Sequence, residues 1–224
     1  MKKKRGIEMS PTEKSNLEAI KSYAEQVLGE DKTGHDMSHI NRVVRLATTI
    51  QTSEGGDLFL CLSGAYLHDV MDDKLVESPE EAREMLLSFL AGLGLTDVTI
   101  SHLVEIIDNV SFSHQLAQSE PVNLSLEAKI VQDADRIDAI GAIGIARTFY
   151  YGGKKGHTMY DPEVLPREHM TKEDYRVNQS VINHFYEKLF KLPELLQTET
   201  ARELATRRVE LMERFVSDFI EDWG

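Results

Sequence analysis

Three short stretches hold residues that could do chemistry together. The run AYLHDVMDDK, residues 65–74, follows the apolar segment LFLCLSGAYL with His68 and Asp69, then adds Asp72, Asp73 and Lys74. Upstream, GHDMSHINRVVRLA sets His39 in the first turn of an expected helix, one turn after His35. Downstream, QDADRIDAIGAIGIAR brings Asp133, Asp135 and Asp138 to the end of another apolar helix, and spacing alone does not choose among the three. Each stretch delivers a nitrogen or a carboxylate oxygen where apolar sequence gives way to polar. Imidazole with carboxylate suits a divalent manganese, iron, nickel, cobalt or zinc ion, whereas an all-carboxylate set points to magnesium or calcium. Four such ligands leave a six-coordinate ion two positions, for a water and a phosphate oxygen. Water on a divalent ion is more acidic than bulk water and becomes a nucleophile near neutral pH. The chemistry implied is hydrolysis.

Phosphate oxygens also need cations, because negative charge moves onto the leaving group during displacement. The candidates are Lys74, beside the acids, and Arg136, directly after Asp135, followed by Arg42, Arg147, Lys154, Lys155 and Lys188. Asp138, three residues beyond Asp135 on nearly the same helix face, is read as a partner of the ligands or of a substrate hydroxyl. His35 and Asp36 stand where a helix N-cap is expected. His184 and Lys188 share a helix face, while His157 and His169 are read as packing or surface residues.

These residues need helices to hold them, and most of the chain does follow a helical period, with little strand-like alternation between hairpin turns. The expected fold is all-α. Ser10-Pro11-Thr12-Glu13 starts a helix that should run to Leu28, a second should occupy Met37 to Thr52, and a third should begin near Asp57. Ser78-Pro79-Glu80-Glu81 opens another, and further helices are expected near 96–110, 124–137, 172–191 and 197–222. Small residues at Ala139, Gly141, Ala142 and Gly144 would allow close helix approach. The Gly- and Pro-rich YGGKKGHTMYDPEVLPREHM is expected to be a long surface loop, with Lys154 and Lys155 able to close over a polyphosphate.

Composition narrows the function. The chain has 224 residues, 41% of them apolar, and a formal charge of −13, which disfavours extended contact with a nucleic-acid backbone. With no 18-residue apolar run and no apolar segment after MKKKRG, a cytoplasmic protein without membrane attachment is expected. Cys61 is the single cysteine, so neither an intrachain disulfide nor a cysteine-based zinc site can form. The apolar face of VELMERFVSDFIEDW could pack internally or in a homodimer.

The set His39, His68-Asp69 and Asp135 resembles the signature of the HD superfamily of metal-dependent phosphohydrolases. GHDMSHINRV, HDVMDDK, DADRIDAIGAIGIAR, the YGG stretch and NHFYEKLFKL resemble its small stand-alone bacterial subgroup, which includes nucleotide pyrophosphohydrolases. The likeness extends from about residue 20 to the C-terminus. It implies a single HD domain over residues 1–224, with a core at about 20–150 and the loop and helices of 151–224 packed on it. About eight to ten helices are expected. The family's D-R-[LI] pattern selects Asp135, so the implied metal ligands are His39, His68, Asp69 and Asp135. One divalent ion is implied, manganese foremost, with magnesium, nickel, cobalt, iron or zinc as alternatives. Asp72 and Asp73 match the acid pair of the related alarmone synthetase-hydrolases, which makes them candidates for orienting water or taking its proton. A second ion through His102 or His114 is the less favoured arrangement. The implied reaction is hydrolysis of a phosphoester or phosphoanhydride of a small nucleotide-like substrate, foremost pyrophosphate release from a nucleoside triphosphate. A 5′-nucleotidase, a cyclic-nucleotide or alarmone hydrolase and a non-catalytic nucleotide-binding module are the alternatives.

Overall fold

The computed structural model describes residues 8–29, 36–72, 76, 78–110, 123–167 and 180–224. Among them are nine α-helices, one 3-10 helix and no strand, so the fold is all-α as the periodicity implies. His35, Asp73, Lys74, His114 and His169 lie outside the described residues. No described helix is long and apolar enough to cross a membrane. Contacts divide the chain into two compact units, one up to Ala134 and one from Asp135 onward, with the division falling inside a single helix, Leu126–Asp138.

The first unit contains α1 (Pro11–Leu28), α2 (Met37–Glu54), α3 (Leu58–Leu67), α4 (Pro79–Gly92), α5 (Asp97–Val110) and most of α6 (Leu126–Asp138). Local signals set the starts. Ser10 and Glu13 form a capping box on α1, while Asp36, Asp57 and Ser78 accept from backbone N–H groups at the starts of α2, α3 and α4. Helix α3 packs against α1, α2 and α5 and is buried nearly all round, through Phe59, Leu60, Cys61, Leu62, Ala65 and Leu67. A helix apolar on every side belongs in a core. Gly64 makes that possible on one side, since a Cβ there would lie 2.6 Å from Ile106 Cγ2 of α5. Helix α6 is moored to its neighbours by polar contacts: Glu127 accepts from the Asp57 N–H at 2.7 Å, and the Gln132 side-chain amide donates to the Asn109 carbonyl.

The second unit holds α7 (Gly141–Lys155), α8 (Val181–Glu187), a 3-10 helix (Leu189–Leu195) and α9 (Glu199–Trp223). Its core is aromatic, with Phe149 within 5.7–6.4 Å, centroid to centroid, of Phe185, Phe215 and Phe219. The apolar face of α9 is therefore used internally, and Met212 and Val216 are buried with it. The expected loop begins later than residue 151, because Tyr151 to Lys155 continue α7. Gly152 looked like a loop signal but is a close-approach residue, whose Cβ would sit 2.5 Å from Val181 Cγ2. The helix ends instead at Gly156, at φ 70°.

Candidate metal centre

His39 and the pair His68-Asp69 come together from two helix ends. Asp36 caps α2 and accepts from the N–H groups of Ser38 at 3.0 Å and His39 at 3.1 Å, fixing the turn that carries His39. Burial raises the Asp36 carboxyl, but the hydrogen bonds from Ser38 and His39 and the charge of Arg42 outweigh it and hold its pKa below the ordinary value. His68 follows the last residue of α3, and its Nδ1–H donates to the Ala65 carbonyl at 2.9 Å. That bond assigns the proton to Nδ1 and turns the Nε2 lone pair inward.

The two Nε2 atoms are 3.2 Å apart, and Asp69 Oδ2 lies 3.4 Å from each. His39, His68 and Asp69 are buried, at 1%, 6% and 7% exposure. A buried carboxylate beside two imidazole nitrogens calls for shared positive charge, a proton or a cation. The spacing fits a cation, since ligand bonds of about 2.0–2.2 Å put neighbouring donors roughly 3.0–3.4 Å apart. Asp135, on the last turn of α6, joins the group: its carboxylate, His39 and His68 each offer a ligand atom, all within 4.8 Å of one another. Of the three competing acids, Asp133 is buried two residues earlier on α6, and Asp138 accepts a 3.0 Å ion pair from Arg147. Cys61 is buried with its thiol pKa pushed well up by burial, so it offers no thiolate.

The acids and cations beyond this group divide. Asp72 is half-buried one turn past Asp69, its N–H donating to the Asp69 carbonyl at 3.1 Å. Arg42 is half-buried one turn after His39 on α2. Arg136 is buried and donates to the Leu195 carbonyl, and Arg147 is the partner of Asp138, so both serve contacts within the second unit. Lys154 and Lys155 are exposed in the last turn of α7, where cations complement the helix dipole, and Lys155 lies over the Tyr151 ring at 5.9 Å. Lys188 is half-buried where α8 ends, its backbone N–H donating to the His184 carbonyl. His102 is exposed on α5. Sequence reasoning missed Arg208, which donates to the Ile137 carbonyl of α6 across 71 positions. It also missed the Arg167–Glu187 pair at 2.7 Å. Neither stands out in sequence, because Arg208 on an amphipathic helix and Arg167 in an irregular segment both look like any solvated charge.

Comparison with known proteins matches residues 37–140 to the family described as HD domain. The YpgQ protein of Bacillus subtilis strain 168, described as uncharacterized, is 37% identical over 212 residues, covering 94% of this chain and 95% of its own. A crystal structure of YpgQ in complex with ADP aligns at TM-score 0.76 and 34% identity, covering 94% of this chain and 96% of that one. A Lactobacillus plantarum protein aligns at TM-score 0.84 and 46% identity, over 96% of this chain and 99% of its own. An HD-superfamily hydrolase from Bacillus thuringiensis aligns at 0.74 and 38%, over 94% and 98%.

Proposed function

This chain belongs to the HD-domain family and has the fold of HD-superfamily hydrolases, and we propose that it is a metal-dependent phosphohydrolase that releases pyrophosphate from a nucleoside triphosphate. The observation that carries this reading is the convergence of His39 Nε2, His68 Nε2 and Asp69 Oδ2 at 3.2–3.4 Å in a buried position. The ADP bound by YpgQ supports the nucleotide part, given 34% identity over nearly the whole of both chains.

His39, His68, Asp69 and Asp135 hold one divalent ion, manganese foremost. When bound, the ion supplies Lewis acidity toward a phosphoryl oxygen and lowers the pKa of water. His68 ligates through Nε2, because its other nitrogen is committed to Ala65. Asp72, one turn past Asp69, orients the attacking water and accepts its proton, with Asp73 as the neighbouring carboxylate. Lys74 and Arg42 neutralise phosphate oxygens near the ligands, and Lys188, Lys154 and Lys155 serve the outer part of the substrate. Arg136, Arg147 and Asp138 make contacts within the second unit and are further candidates for meeting the substrate.

The test is a panel of nucleoside tri-, di- and monophosphates, cyclic nucleotides and an alarmone, with manganese present and phosphate and pyrophosphate measured separately. Pyrophosphate from a triphosphate is expected. Phosphate from a monophosphate would replace the proposal with a 5′-nucleotidase. Protein shown by elemental analysis to be loaded, yet binding nucleotide with no turnover, would make the chain a binding module.

A further inference from the structure

We propose that Arg208 is a positioning residue for the Asp135 carboxylate, acting through the last turn of α6; this rests on the metal-site reading above. The last carbonyls of a helix have no intrahelical donor and need partners. At the end of α6 the Asp135 carbonyl accepts from the Ala139 N–H at 3.2 Å, and the Ile137 carbonyl accepts from the Ile140 N–H at 3.3 Å. Arg208, from the middle of α9, donates Nη1 to that same Ile137 carbonyl. Its stem reaches there because residue 141 has no side chain: a Cβ on Gly141 would lie 2.9 Å from Arg208 Cγ and 3.1 Å from its Cβ. Gly141 also sits at φ 80°, the turn that lets α7 leave the end of α6 beneath the arginine.

The same turn is gripped elsewhere. Asp138, 1% exposed, accepts from Arg147 of α7, and Arg136 donates to the Leu195 carbonyl of the 3-10 helix. Those two contacts anchor side chains of the turn, whereas Arg208 holds its backbone two residues beyond Asp135. A helix end needs only some donor, and water can serve. A guanidinium adds a fixed direction, which matters for a carboxylate that must meet other ligands to within about 0.5 Å.

Arg208→Met keeps the stem and removes the donors, Arg208→Gln keeps one amide donor, and Arg207→Met on the exposed side of α9 is the control. Manganese affinity is measured by calorimetry on each variant, with folding checked by circular dichroism and thermal melting in chelator. Arg208→Met should weaken manganese about 10-fold, the lower end of the loss when groups that orient a ligand are removed. Arg208→Gln should lie between it and the unaltered protein, and the control should not change. Adding Arg208→Met to Asp135→Ala should weaken binding no further, since the arginine acts through that carboxylate. Unchanged affinity in folded Arg208 variants, or equal losses with and without Asp135, overturns the proposal; so does failure of both Arg208 variants to fold, which would make the role structural. If the unaltered protein binds no manganese, or Asp135→Ala binds it as well as the unaltered protein, the metal-site reading itself fails.

Discussion

His68 meets the site with its ring already set, because the Ala65 carbonyl three residues back takes the Nδ1 proton and Nε2 is left to face His39 Nε2 at 3.2 Å. Replacing it removes a proposed ligand and leaves Asp69 buried beside a single imidazole. His68→Ala should therefore bind no stoichiometric manganese and hydrolyse nucleotide at least ~10³-fold more slowly, as metal analysis and a pyrophosphate assay would reveal. Retention of one ion per chain would contradict the ligand assignment. Asp72 has a different expectation, since it stands one turn beyond the proposed ligand Asp69. Asp72→Asn should keep the ion and lower kcat by about 10²–10⁴, the usual contribution of a positioned acid or base. If metal content falls along with rate, Asp72 belongs with the ligands. The candidate residues of this site could be named from the sequence because imidazole and carboxylate at the ends of apolar helices are unusual company. Spacing alone left Asp133, Asp135 and Asp138 open, because three acids within six residues of one helix differ only in direction, and it was the resemblance to the family's D-R-[LI] pattern that favoured Asp135.

Helices were legible where capping and period agreed. Ser10, Asp57 and Ser78 cap the starts expected of them, and α3 is core on every side as its unbroken apolar run suggests. The reading failed at Gly152, where lack of a side chain serves contact with Val181 inside a helix and not a loop. Helix α8 carries its own testable consequence. Burial, together with the charge of Lys188, pushes the His184 pKa from 6.5 down to about 3; Glu187 pulls it upward, while Arg167 and His157 add to the lowering. Between those values the unfolded chain binds a proton that the folded chain refuses, so stability should rise with pH across that window. His184→Gln should show a shallower fall in urea midpoint from pH 7 to pH 4.5 than the unaltered protein, and an unchanged slope would refute this origin. Glu187 acts in a lower window. Hydrogen bonds from Arg167 outweigh its burial and hold its carboxyl below 4.5, so its contribution is lost only as pH falls through that depressed value. The core of the same unit centres on Phe185, at 0% exposure, and Phe185→Ala should destabilise by about 3–5 kcal/mol in denaturant titration.

At the scale of the molecule, an ion that binds only the folded chain must stabilise it, by about 2.7 kcal/mol at a hundredfold excess over Kd. Chelation should accordingly lower Tm and manganese should restore it, while His68→Ala should melt alike in both conditions. An equal response in the two proteins would locate the ion elsewhere. For the proposed polyphosphate substrate, the formal charge of −13 makes such a centre more necessary, since an acidic chain must otherwise attract it with few cations. Fold class and most helix starts were determined by the sequence alone, because capping and periodicity depend on residues close in the chain. Tertiary structure decided the approach of the His39 and His68 Nε2 atoms to Asp69, the pairing of Arg147 with Asp138 and the reach of Arg208 to Ile137. Those depend on directions and distances between segments up to 71 positions apart, which a one-dimensional pattern does not carry.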